Sequence, residues 1–156
     1  MAKKKNLKIH IPAFIALGLG IIAFFMMFLD AVSYPVGITS VEYTGAQLVF
    51  GDKDLALTFN IMLFLAFVLP IAGGVLTLLG GDSFLFKILS TACFVVAAVF
   101  LFMATVYAPI GMSDAAAEIF KHMDTTLCVG PIIAGILSIL GAIVCFFKKT
   151  IAKKFS

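Results

Sequence analysis

Four long apolar runs, broken only by short polar stretches, set the pattern of this chain. They fall at about 11–30, 55–79, 84–108 and 126–147. A helix needs about 20 mostly apolar residues to cross roughly 30 Å of hydrocarbon, and each run meets that length. Asp30 closes the first run and Lys87 sits near the start of the third; no other Asp, Glu, Lys or His falls inside them. The pattern predicts an all-α membrane protein. It is an antiparallel bundle of four transmembrane helices forming a single domain over 1–156.

The polar stretches predict smaller elements. The first outer loop, 31–54, opens on Ser33-Tyr34-Pro35. Two β-prone runs, 38–44 and 47–50, then flank Gly45-Ala46 and predict a short β-hairpin there. A lone hairpin is marginal in water, so it should rest on the helix ends or on a partner. The competing reading makes 45–50 an interfacial half-turn. The second outer loop, 109–125, predicts a short amphipathic helix. Ser113 is its N-cap, Asp114 and Glu118 lie near its positive start, and Lys121 and His122 lie near its end. Met112, Ile119, Phe120 and Met123 would rest on the membrane surface. Residues 80–83 form a tight turn. Pro70 should kink the second span and Pro131 should bend the outer third of the fourth.

Composition agrees and removes other classes. Of 156 residues, 63% are hydrophobic and 12% charged, with a mean hydropathy of +1.20. Soluble domains run at about 45–50% apolar and about 25% charged, and disorder needs still less hydrophobicity. The net charge is +3, carried entirely by lysine on the basic side. Those lysines cluster at the ends, as Lys3, Lys4, Lys5 and Lys8, then Lys148, Lys149, Lys153 and Lys154, so no basic groove for nucleic acid exists. With Lys87 they place both termini in the cytoplasm of a plasma-membrane protein, leaving Lys53 and Lys121 outside with most of the acids. Such runs also attract anionic lipid headgroups. The first apolar run, about 19 residues, exceeds a signal-peptide core of 7–15, and cutting after Ala31 would put Leu29 where a small residue is required. A retained first helix is expected.

Candidate chemistry is sparse. Proton coupling at depth usually needs an ionisable group near the midplane, and the spans have none there. Cys93, Cys128 and Cys145 form no CxxC pair, so they read as packed free thiols. His10 and His122 lie on opposite membrane sides, which excludes a bis-histidine haem and a three-histidine zinc site. Asp114, Glu118 and His122 recur every four residues on one helix face, a weak cation geometry that reads better as a solvated face. Gly18-Leu19-Gly20, Gly73-Gly74 and Gly80-Gly81 lack the strand and Lys-Ser/Thr of a phosphate loop. No catalytic, cofactor-binding or metal residue is assigned, and no cofactor is expected. In lipid, small residues instead mark close helix approach. The stripes are Ala16 and Gly20; Gly73, Thr77 and Gly81; Ala104 and Ala108; and Ala134, Ser138 and Ala142. The same stripes could equally face a second subunit.

Two membrane turns around a longer, β-prone first outer loop resemble the layout of the claudin and tetraspan group, although the claudin Trp and Cys signature is missing. The stretch Phe28-Leu29-Asp30-Ala31-Val32-Ser33-Tyr34-Pro35, with Tyr43-Thr44-Gly45 and Leu48-Val49-Phe50-Gly51, is similar to small uncharacterised four-span proteins of low-GC Gram-positive bacteria. The expected role is a non-enzymatic structural or accessory subunit. Its contact surface would hold Tyr34, Glu42 and Tyr43 from the first loop and Asp114, Glu118 and His122 from the second. Partners would be membrane lipids and a second copy or larger membrane complex. The alternative is a small oligomeric carrier or channel for an apolar or neutral solute, lined by phenylalanine. An integral membrane enzyme lacks a nucleophile–base pair, since Tyr34, Tyr43 and Tyr107 do not make one.

Overall fold

The computed structural model describes residues 2–36, 38–54, 57–80, 83–111, 114–122 and 125–154. It is mostly helical, with a small three-stranded antiparallel sheet at one end. The long helices are α1 (Ala2–Phe25), continued by a 3-10 turn Met26–Phe28; α3 (Ile61–Leu79); α4 (Phe84–Phe102); and α7 (Val129–Phe146). Among the described residues, these four are long and apolar enough to cross a membrane. Between them lie β1 (Asp30–Val36), β2 (Thr39–Thr44), α2 (Gly45–Phe50), α5 (Ala104–Tyr107), α6 (Asp114–Lys121) and β3 (Thr126–Leu127), with α8 (Lys148–Lys154) last.

Small residues let the long helices approach, and large ones fill what remains. A Cβ at Gly20 would collide with the Pro70 carbonyl, and one at Gly74 would lie 2.6 Å from the Leu17 Cα, so α1 and α3 meet backbone to backbone and run in opposite senses. Fully buried Phe94 of α4 fills a slot between Gly73 and Gly141, where added Cβ atoms would lie 2.9 and 2.5 Å from its ring. Phe102 covers Gly135 in the same way. α1 and α4 each pack against both α3 and α7. Ala16, Ala104, Ala108, Ala134, Ser138, Ala142, Gly73 and Thr77 are all buried; Gly81 lies outside the described residues. The hydroxyls of Ser138 and Thr77 donate back to Ala134 O and Gly73 O, both at 2.8 Å, which keeps polar atoms satisfied in an apolar setting.

Several boundaries differ from the sequence reading. The hairpin lies earlier than expected: β1 pairs with β2, Ser33 opposite Glu42 and Pro35 opposite Ser40. Residues 45–50 are helix rather than the second strand. The cause is a capping box, in which the Thr44 hydroxyl accepts from Gln47 N and the Gln47 side chain accepts from Thr44 N. Pro35 is tolerated in the central strand because β3 covers only Val32 and Ser33. The second span begins at Ile61, not near 55, because Asn60 caps it, its Oδ1 accepting from Met62 N and Leu63 N. The third stops at Phe102 and resumes as α5, which ends ahead of Pro109. The fourth begins at Val129, since Thr126 and Leu127 join the sheet. Pro131 therefore falls in the first turn of α7, where a missing N–H costs no intrahelical bond. α3 passes through Pro70 as one helix. The expected N-cap Ser113 lies outside the described residues, as do Met112 and Met123.

Candidate functional site

The end carrying the sheet is built largely from backbone hydrogen bonds. A β-bulge between Asp30 and Val32 breaks the alternation of β1. Asp30 faces Thr44 and lies beside Glu42 on β2. A proton shared between the two carboxyls, then the repulsion between their charges, raises the Glu42 carboxyl above its ordinary value. On the other face the Tyr34 and Tyr43 hydroxyls lie 2.9 Å apart. Tyr43 is 8% exposed. Burial first, then its bond to Tyr34, pushes the Tyr43 phenol up to about 12.

This sheet is tied to the helices at several points. Cys128 N donates to Ala31 O at 2.9 Å, and Gly45 N donates to Leu29 O at 3.1 Å. A Cβ at Gly130 would lie 2.9 Å from Met26 O, so the start of α7 sits directly against the end of α1. Buried Asn60 does two jobs: it caps α3, and its Nδ2 donates to Tyr107 O at 2.8 Å, binding α3 to α5. Burial, then the Glu42 and Asp30 carboxylates, raise the Cys128 thiol, which holds it protonated and weakly nucleophilic.

The residues expected to form a contact surface are divided between two elements. Tyr34, Glu42 and Tyr43 share the β1–β2 ladder, where Glu42 is exposed, Tyr34 half-buried and Tyr43 buried. Asp114 and Glu118 lie exposed on α6, and exposed His122 follows its last residue. α6 packs against the turn Ala108–Gly111. Among the described residues, no three His, Cys, Asp or Glu side chains converge to hold a metal ion. The tip residue Ile38 is fully exposed, as are half of Phe50 and Phe59, whose rings pack on Phe64.

The opposite end holds residues that the sequence reading passed over. Lys148, one of the terminal lysines, is only 7% exposed. Its Nζ donates to Thr77 O at 2.9 Å, and the Thr77 Oγ1 lies 3.0 Å from the Cys145 Sγ. Lys87 Nζ rests 4.6 Å above the Phe146 ring. A Lys-Lys pair after an apolar run looks solvated in sequence; only the α7–α8 corner turns Lys148 inward. Asn60 did carry a signal, as an N-cap residue directly before an apolar run. The chain matches no known protein family, and no curated protein sequence matches it.

Proposed function

We propose that this chain is a non-enzymatic structural or accessory subunit of the plasma membrane, with both termini cytoplasmic and its sheet end as the contact surface. The observation that carries this reading is the contrast in build. The helix interior is filled by Phe94, alanines and glycines. The sheet end, by contrast, holds a fixed backbone platform with Ile38, Glu42 and Asp114 turned outward. Recognition then belongs to that platform, and the partner is a second copy of the chain or a larger membrane complex. The resemblance noted in the sequence sets this in a low-GC Gram-positive bacterium.

The test is photo-crosslinking in intact membranes from a reactive residue placed at Ile38, compared with one at exposed Leu85 on the opposite end. A discrete adduct from position 38 and none from position 85 is the expected outcome. Adducts only from position 85, or none from position 38 under several growth conditions, would overturn the reading.

A further inference from the structure

One edge of the sheet is poorly protected. Its order is β2-β1-β3, so β2 lies at an edge. Edges are normally blunted by Pro, Lys, a bulge, extreme shortness or a covering segment. β1 carries Pro35 and the bulge, and β3 has 2 residues. β2 has 6 residues with no Pro, Gly or Lys, and its one charge is Glu42. We propose that β2 receives the β2 strand of a second copy of the chain, edge to edge and antiparallel, making one continuous sheet across both copies. This rests on the reading of the sheet end as the contact surface, and it names the occupant.

The strand pairing fixes which backbone groups are open. In an antiparallel sheet, successive residues turn their N–H and C=O to opposite edges. Cys128 N donates to Ala31 O, so Ala31 and Ser33 turn toward β3, and Val32 and Tyr34 turn toward β2. Tyr43 and Val41, opposite Val32 and Tyr34, therefore turn toward β1. Ser40 and Glu42 turn outward. Thr44 obeys the same alternation, since its N–H leaves the ladder for the Gln47 side chain. Among the described residues, the backbone of Ser40 and Glu42 makes no hydrogen bond outside the strand.

This edge is complementary to itself. A two-fold axis at Val41 sets Ser40 opposite Glu42 of the second copy, and Glu42 opposite its Ser40. Each of these pairs exchanges both of its N–H···O bonds. On the exposed side of the sheet, the Ser40 hydroxyl then meets a carboxylate. An axis at Glu42 would set two carboxylates directly opposite, which is destabilising. An axis at Ser40 would set Glu42 opposite Ile38, beyond the end of β2. Val41 and Tyr43 lie on the face packed against the core. An axis normal to the sheet therefore keeps the helices of both copies on one side of it, as copies sharing one membrane require.

The full chain, with Cys93, Cys128 and Cys145 replaced by alanine, is oxidised mildly in its membrane while carrying one new cysteine. Val41→Cys should give a disulfide-linked dimer, because residues facing each other in a non-hydrogen-bonded pair approach to about 4.5 Å between Cα atoms. Thr39→Cys should not, since the two copies of that position would lie roughly 14 Å apart along the strands. A second readout keeps the native cysteines and decides if the cysteine-free chain fails to fold: oligomeric mass in mild detergent. Glu42→Pro removes an outward N–H and spares the ladder to β1. It should weaken self-association roughly tenfold or more, whereas Glu42→Gln should keep it. Equal linking at 41 and 39, or Glu42→Pro associating as the unaltered chain does, would overturn the proposal. An adduct from position 38 to a different protein, with no link at 41, would overturn it and leave the contact surface standing. No adduct from either position would remove both.

Discussion

The two ends of this molecule close the same four helices by different means. At the sheet end, the loops make their own hydrogen-bonded structure: a three-stranded ladder, a capping box at Thr44 and an Asn60 side chain binding α3 to α5. At the lysine end, the helices themselves provide the closure, through Thr77, Cys145 and Lys148. The first arrangement fixes a surface independently of lipid. The second turns Lys148 inward, so that the α7–α8 corner is fastened to the end of α3. Acidic exposed groups mark the first end, with Glu42 and Asp114, and buried or half-buried lysines mark the second.

The sharpest way to break this contrast is to disturb the helices that both ends share. Gly20→Ala places a methyl group against the Pro70 carbonyl, whereas Gly18 has nothing within 4 Å of an added Cβ. Gly20→Ala should destabilise the chain by about 2 kcal/mol or more through overpacking. Gly18→Ala should be neutral or slightly stabilising, since alanine favours helix by up to about 1 kcal/mol. Thermal unfolding in detergent compares them, and equal behaviour would refute the close α1–α3 crossing.

Asn60→Ala acts at the sheet end alone. It removes a helix cap and leaves the Tyr107 carbonyl without its donor, a cost of about 1–3 kcal/mol. Amide exchange should quicken in α2, the start of α3 and α5, while α8 stays protected. A uniform increase over both ends would erase the distinction drawn between them.

The smallest effect concerns pH. The Glu42 carboxyl is raised by Asp30, so folding takes up a proton there. That contribution is fully present below the ordinary glutamate value and is lost as pH rises through the raised one. The sheet should therefore loosen slightly on going from mildly acidic to neutral pH, and Glu42→Gln should abolish the change. Three tyrosines and no tryptophan make tyrosine emission the natural reporter. Because Glu42 is exposed, solvent screening keeps the shift small.

The apolar runs were legible because crossing a bilayer demands length and composition that few other structures need. Their ends were less so. Residues 55–60 continue the apolar run in composition, yet Leu57 pairs with Asp52 in a bridge and Asn60 starts the helix. β-Branched residues at 38–44 correctly suggested a strand, but its partner was the preceding segment through Pro35. The third strand, β3, joins β1 at Val32 and Ser33 from nearly a hundred residues away, which local pattern does not contain. The capping box at Thr44 and Gln47 was readable and outweighs the β-propensity of Leu48-Val49-Phe50. Lys148 was not readable, because its burial arises from the α7–α8 corner meeting Thr77 of α3. Phe94 was hidden for a similar reason: its glycine slot is formed by two other helices.

The filled helix interior is tested most directly by solute flux across liposomes containing the purified chain. Neutral and weakly apolar solutes should cross no faster than through protein-free liposomes, whichever acidic lipid is present. A saturable flux that scales with protein content would mean that the helices part to make a path, and would move the centre of function from the sheet end to the spans.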